Sequence, residues 1–297
     1  MHVVLNPIAG GHRAPACWRQ IEPSARVAWP NLEVSLTEGP GHATVLTREA
    51  VSAGASRVVV VGGDGTIQEA VAGLVHTGVP LAVIPAGTGN DFSRTHLIPR
   101  NLAQAMVVAS GRHTRKADVG LVNGRPYVNV AGVGFDAEVA AWTKYRTRWL
   151  RGPWLYVAGV LSQLLLFRPQ RMTFTLDGVP QTQKCLLIAV GNGRYYGGGM
   201  MVCPSAEPDD GMLEVVVGGD LSKGETLALL AKVFSGQHIG RPKVNRSAAQ
   251  LVTIEGPAHL AVHADGEPVG TLPAEFSVLR SAIEVAVPAS VGCGRPR

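Results

Sequence analysis

The 297-residue chain lacks the usual marks of a metal cluster, a disulfide framework or a nucleic-acid arm. Its four cysteines, Cys17, Cys185, Cys203 and Cys293, form no C-x-x-C pair, and its nine histidines form no H-E-x-x-H pair. Those spacings exclude the common zinc sites and fit a reducing cytosol. Charged residues make up only 16% of the chain, below the usual quarter. Its lysines and arginines are scattered singly, so no nucleic-acid partner is expected. Long hydrophobic runs are missing too. The longest, residues 154–167, is interrupted by Ser162 and Gln163 and falls short of the roughly 20 residues a spanning helix needs. The opening His2-Val3-Val4-Leu5 reads as a strand and lacks the charged and apolar regions of a signal peptide, so export by that route is not expected.

Hydrophobic residues reach 46%, enough for a sizeable core, and the length suits two compact domains. A net charge of +5 and a pI near 9.2 favour anionic partners such as nucleotides or acidic lipid surfaces. The first third alternates β-branched runs at 3–5, 58–61 and 81–84 with helical patterns, the signature of a parallel sheet covered by helices. Thr37 can cap a helix that carries Pro40 in its first turn and stops at Gly54. From about Lys116 the texture changes to short strands at 127–130, 171–176, 186–190, 213–217, 251–254 and 260–262, which points to an antiparallel sandwich. Helices are expected at 154–167 and after Ser222, where Ser222 and Glu225 form a capping box. The expected fold is therefore an α/β domain over 1–116 followed by a mostly antiparallel β-sandwich domain over 117–297, with the C-terminal tail returning to the first.

The strongest local signal is the strand 58–61 running through Gly62-Gly63-Asp64-Gly65-Thr66 into a helix. Glycines there let backbone N–H groups approach an anion, and the helix N-terminus adds partial positive charge. Thr66 and Glu69 also fit a plain capping box, so the junction alone leaves a structural and a phosphate-binding reading open. Asp64 tips the balance. A carboxylate in such a turn repels phosphate unless a divalent cation or a hydrogen-bond network intervenes, which suggests a Mg-nucleotide. The turn is neither G-x-G-x-x-G nor G-x-x-x-x-G-K-[ST], which disfavours a dinucleotide-binding dehydrogenase and a Walker-type ATPase. A second turn, Pro85-Ala86-Gly87-Thr88-Gly89-Asn90-Asp91-Phe92, follows the next strand, and neighbouring parallel strands deliver such turns to one sheet edge.

Gly62-Gly63-Asp64-Gly65-Thr66 with Glu69, then Pro85, Gly87-Thr88 and Asn90-Asp91-Phe92, resembles the diacylglycerol kinase catalytic-domain family, which also holds sphingosine and ceramide kinases and bacterial soluble lipid kinases. The likeness starts at Leu5-Asn6-Pro7-Ile8-Ala9-Gly10-Gly11. It continues through Tyr127-Val128-Asn129-Val130-Ala131-Gly132-Val133-Gly134-Phe135-Asp136-Ala137 and Gly191-Asn192-Gly193 to Asp209-Asp210-Gly211 and Asp265-Gly266-Glu267-Pro268. Ala9 and Ala72 stand where many members carry serine and asparagine.

The resemblance implies an NAD kinase/diacylglycerol kinase-like fold and ATP-dependent, Mg2+-assisted phosphorylation of a lipid hydroxyl. Asn6, Thr37, Gly62, Gly63, Asp64, Gly65, Thr66, Gly87, Thr88, Asn90 and Asp91 would contact the nucleotide; Thr37 also suits a simple N-cap. Glu267, with Asp64, would be catalytic. Glu267 would act as general base, through orientation or proton acceptance late in a loose phosphoryl transfer, although Asp265-Gly266-Glu267-Pro268 also reads as a hairpin turn. Glu207, Asp210 and Met212 would hold Mg2+, Met212 through its carbonyl oxygen. The segment Lys144-Tyr145-Arg146-Thr147-Arg148-Trp149-Leu150-Arg151, leading into 154–167, suits peripheral membrane contact or a core helix with snorkelling arginines. The expected partners are a lipid substrate at a membrane surface and, compatibly, a second copy of the chain. The expected location is the cytoplasm, extending to the inner face of the membrane. A kinase of a soluble metabolite such as NAD, and a catalytically silent nucleotide-binding regulator, are the competing readings.

Overall fold

The computed structural model describes residues 1–139, 159, 162–164 and 167–292. They fold as two compact units, Met1–Ala117 with the segment that begins at Ser281, and Asp118–Arg280.

The first unit runs β1 (His2–Leu5), α1 (Ala14–Ala28), β2 (Glu33–Leu36), α2 (His42–Ser52), β3 (Val58–Gly62), α3 (Asp64–Leu74), β4 (Leu81–Pro85), α4 (Asp91–Thr95) and α5 (Leu102–Ser110). Strands β2, β1, β3 and β4 lie side by side in that order, all parallel. Every residue of β3 and β4 is buried, as expected for parallel strands covered on both faces. One face packs Val3, Val59 and Ile84 against Trp18 and Ile21 of α1 and Met106 of α5. Because the strands are parallel, the turns after β1, β2, β3 and β4 emerge at one edge of the sheet.

Two capping expectations change. Helix α2 starts at His42 behind Gly41, whose φ is 81°, with no side-chain cap, so Thr37 is not its N-cap. The Glu69 carboxylate, projecting from α3, accepts the Gly41 and Ala43 N–H groups at 2.8 and 3.1 Å. Glu69 therefore serves the neighbouring helix and forms no capping box with Thr66. The cause is the tightness of the Gly62-Gly63 turn: α3 begins at Asp64, directly after Gly63, which puts Thr66 inside the first turn.

The second unit contains the end of β5 (Thr114–Val122), then β6 (Arg125–Tyr127), β7 (Val130–Gly134), β8 (Gln170–Leu176), β9 (Val179–Cys185), β10 (Leu187–Gly191), β11 (Leu213–Gly218), α6 (Lys223–Val233), β12 (Val244–Ala249), β13 (Leu251–Glu255), β14 (Ala261–Ala264), β15 (Glu267–Thr271) and most of β16 (Ala274–Ala286). One antiparallel sheet has the order β12-β11-β10-β7-β14-β15. The other carries β16-β13-β8-β9. Tyr127, Met172, Phe174, Ile188, Leu213, Ile254 and Phe276 fill the sandwich core. Within the first unit, the end of β16 lies parallel to β4, Val285 beside Leu81.

The strand expected at 127–130 is interrupted. The Asp265 carboxylate accepts the N–H groups of Val128, Asn129 and Val130 at 2.8, 2.8 and 3.1 Å. Val128 and Asn129 thereby give their N–H groups to the carboxylate and not to a ladder, so β6 ends at Tyr127 and β7 begins at Val130, which pairs with Gly191. The Ser222–Glu225 capping box is present, with Glu225 N–H donating to Ser222 Oγ at 3.3 Å and Ser222 N–H to Glu225 Oε2 at 2.7 Å. Of the segment 144–167, all but residues 159, 162–164 and 167 lies outside the described residues. Among the described residues no helix is long and apolar enough to cross a membrane.

Candidate active site

The four turns of the first unit are tied to one another. After β1, the Asn6 amide donates to Thr66 Oγ1 at 2.8 Å, and its carbonyl oxygen accepts Ile8 N–H at 3.1 Å. Gly10, with φ 61°, leaves no room for a side chain, since a Cβ there would lie 2.1 Å from the Ala86 carbonyl oxygen. Thr37 is buried just past β2, its N–H donating to Leu5 O at 2.9 Å. After β3, a Cβ on Gly62 would meet the Thr66 side chain at 2.8 Å, and one on Gly87 would meet the Cα of Gly63 at 2.4 Å. The two glycine-rich turns therefore touch backbone to backbone. Gly65 differs: nothing lies within 4 Å of where its Cβ would be. Two glycines of the first motif let turns pack, and the third keeps an open face at the start of α3, where a helix N-terminus favours an anion.

Asp64 supplies the hydrogen-bond network that its position demanded. Its Oδ1 accepts Phe92 N–H at 2.9 Å, bracing the first turn against the start of α4. Burial pushes its carboxyl above the usual range, and backbone N–H groups of Phe92, Asn90 and Asp91 partly offset this. Asn90, in the left-handed region at φ 56°, closes the second turn by accepting Gly87 N–H and donating to Gly87 O, both at 3.0 Å. Asp91 pairs with Arg94, and Thr88 is exposed at the tip.

Three arginines that the sequence reading missed converge on the carbonyls of these turns. Arg13 donates to Gly10 O at 3.0 Å and Gly87 O at 3.3 Å, while Arg94 and Arg100 each donate to Gly89 O at 2.9 Å. They are scattered along the chain, so no run or spacing marks them. Together they bring positive charge to a rim already rich in N–H donors.

In the second unit, Asp265 and Gly266 both have positive φ, 49° and 87°, the pattern of a two-residue hairpin turn between β14 and β15. Glu267 follows, exposed, opposite Ala264. Elsewhere in this unit, a cleft of about 120 Å³ is lined by Glu207, Asp210, Met212, Glu214 and Arg246. Glu207 pairs with Arg194, and Asp210 Oδ1 accepts Met212 N–H at 2.9 Å. Partial burial, followed by the negative charges of Asp118, Asp209 and Glu207, pushes the Asp210 carboxyl up against the pull of the Met212 N–H. The buried Asp118, also missed from sequence, fixes this loop by accepting Gly211 N–H at 2.7 Å and donating its own N–H to Pro208 O at 2.6 Å. Glu214 Oε2 accepts Ser205 N–H at 2.7 Å, and its Oε1 is buried without a hydrogen-bond partner among the described residues.

Residues 1–122 match the model of the diacylglycerol kinase catalytic domain, and residues 129–287 match that of the YegS C-terminal NAD kinase beta sandwich-like domain. A diacylglycerol kinase of Mycobacterium tuberculosis is 36% identical over 264 residues, covering 86% of this chain and 84% of that protein. The chain belongs to the diacylglycerol kinase catalytic-domain family. A diacylglycerol kinase of Staphylococcus carnosus is 28% identical over 291 residues, 97% of this chain and 95% of that one. In structure, a diacylglycerol kinase from Bacillus anthracis str. Sterne superposes with a TM-score of 0.76 at 25% identity, covering 98% of this chain and 97% of that chain. Membership makes the protein a phosphotransferase of a kinase family, with ATP as the implied phosphoryl donor. In family terms, the structure gathers Asn6, Gly62 to Thr66, Gly87, Asn90 and Asp91 into one bonded set of turns in the first unit. Glu267 and the Glu207–Met212 loop belong to the second.

Proposed function

We propose that the protein transfers the terminal phosphoryl group of ATP to the hydroxyl of a lipid. The turns of the first unit hold the nucleotide, with Gly65 and the start of α3 facing the phosphates. Glu267 accepts the proton of the attacking hydroxyl, and most of the acceleration comes from positioning and from positive charge around the phosphates. The residues around Glu207 and Asp210 fit Mg2+ in kind, because Mg2+ takes one or two carboxylates and keeps several waters, and a cation there offsets the partial burial and, after it, the neighbouring negative charges that push Asp210 up. Among the described residues no three His, Cys, Asp or Glu side chains converge as a metal cluster, so such an ion would rest on Asp210, Glu207, the Met212 carbonyl and water. It would supply positive charge against which developing negative charge is stabilised.

The observation that favours a lipid acceptor over a soluble one is an apolar cavity of about 120 Å³ in the second unit. Phe135, Leu187, Met200, Val216, Leu229 and Val233 line it, beneath α6. An apolar cavity of ~150 Å³ takes up a molecule the size of benzene, so this somewhat smaller one, mostly apolar although Asp136, Tyr196, Thr226 and His238 also line it, suits a short hydrocarbon segment better than a nucleotide's polar surface. Filling it tests the reading. Val233→Trp is expected to raise KM for a long-chain lipid at least tenfold, with ATP affinity unchanged in a nucleotide titration. An unchanged lipid KM in a folded variant contradicts the assignment.

A further inference from the structure

A histidine and an aspartate form a buried pair next to the Glu267 turn. His263 on β14 is fully buried, and its Nε2 lies 3.0 Å from Asp136 Oδ2. The other Asp136 oxygen accepts the N–H of Ala137 at 2.9 Å. The sandwich makes room for the pair at Gly132, directly opposite His263 in the β7–β14 register. A Cβ on Gly132 would stand 2.2 Å from Asp136 Oδ2 and 3.0 Å from His263 Nε2. Tyr196 lies over the imidazole, ring centroids 4.9 Å apart.

The hydrogen bonds fix the tautomer. A carboxylate can only accept, so the proton shared with Asp136 sits on Nε2. Nδ1 then carries the lone pair, and the Gly266 N–H donates to it at 3.4 Å. Gly266 immediately precedes Glu267. The adjoining hairpin lacks one ladder donor. Pro268, which pairs with His263 across a register shift, has no N–H to give. The turn is held instead from two sides: Asp265 is anchored by three N–H groups of residues 128–130, and Gly266 rests on His263.

We propose that His263, oriented by Asp136, is a positioning residue that fixes the Gly266-Glu267 peptide and so sets the direction of the Glu267 carboxylate. The pair also joins the two features of the acceptor site, because Asp136 is part of the wall of the apolar cavity. One hydrogen-bonded path, Asp136 to His263 to Gly266, thus links the cavity to the base. This role rests on Glu267 being the base, and the experiment separates the two claims.

Imidazole 15N shifts of the full-length protein are expected to show His263 protonated on Nε2 and bare on Nδ1, with the Gly266 amide slow in hydrogen exchange. An Nδ1–H tautomer overturns the proposal whatever the enzyme's activity. For turnover with ATP and lipid vesicles, His263→Leu removes both contacts and is expected to cut kcat about a hundredfold, the scale of a misplaced catalytic group, with the ATP KM unchanged. His263→Gln keeps a donor for Asp136 and an acceptor for Gly266, so it should restore most of the loss and also guards against a Leu variant that fails to fold. Wild-type kcat in a folded Leu variant, or a Gln variant with an intact fold as impaired as Glu267→Gln, overturns the proposal. If wild type phosphorylates no lipid, the functional reading fails, and the tautomer and Gly266 exchange still decide the positioning claim.

Discussion

Glu267→Gln is expected to lower kcat for phosphoryl transfer about a hundred- to ten-thousandfold, the usual contribution of a positioned acid or base, while ATP affinity stays at the wild-type value. The substitution preserves size and the hairpin. Asp265 and Gly266 carry the positive φ values and the anchoring hydrogen bonds, and Glu267 is exposed beyond them. What disappears is a proton acceptor. The turns proposed to hold the nucleotide belong to the other unit, so on this proposal ATP affinity has no reason to change. Steady-state kinetics combined with a binding titration check both halves. A variant with weakened ATP binding and an intact kcat would move Glu267 out of the base role.

The second large effect separates the glycines of the nucleotide turns. Gly87→Ala places a methyl group 2.4 Å from the Gly63 Cα and 2.9 Å from Asn90 Oδ1; the first is backbone, and the second is a side chain held by its two hydrogen bonds to Gly87. Overpacking of this kind costs about 1–3 kcal/mol, which weakens ATP about 5- to 150-fold if it falls on the bound state. Stability in urea should fall as well. Gly65→Ala has open space around its methyl and sits in α3, where alanine is favoured by up to about 1 kcal/mol. Stability should hold or rise while ATP affinity drops, because the methyl covers the face proposed to meet the phosphates. Equal ATP affinity in Gly65→Ala and wild type would remove that face from the site.

The parallel half of the fold was legible because buried parallel strands are written as continuous β-branched runs, Val58 to Val61 being the clearest. The sandwich was legible only in part: β5 and the long interior β16 went unread along with β9, β12 and β15, and the last three share a cause. β9, β12 and β15 are sheet edges, with mostly exposed, polar sequences such as Pro180-Gln181-Thr182-Gln183-Lys184. Edge strands carry little of the apolar alternation that marks a strand. Helix starts were misplaced where a remote group did the capping: Glu69 reaches α2 from another helix, a contact that no local spacing encodes.

The site divided along similar lines. The glycine motifs announced themselves, but sequence could not say which glycine serves packing and which serves a ligand. Asp64 looked like a phosphate-facing acid, and the structure gives it a bracing bond to Phe92 N–H. Arg13, Arg94 and Arg100 were invisible as a group, because they meet only through carbonyls brought together by the sheet. Asp118 and the Asp136–His263 pair are buried polar groups whose partners lie 93 and 127 residues away.

The most direct test offers both acceptor classes at once. Purified protein receives γ-labelled ATP and Mg2+ together with vesicles of total cell lipid and free NAD, and the label is traced into the organic and aqueous products. Label is expected in a lipid product and not in NAD, and that lipid label is expected to be lost with Glu267→Gln. Label in phosphorylated NAD, or bound ATP with no labelled acceptor of either kind, would contradict the lipid-kinase reading.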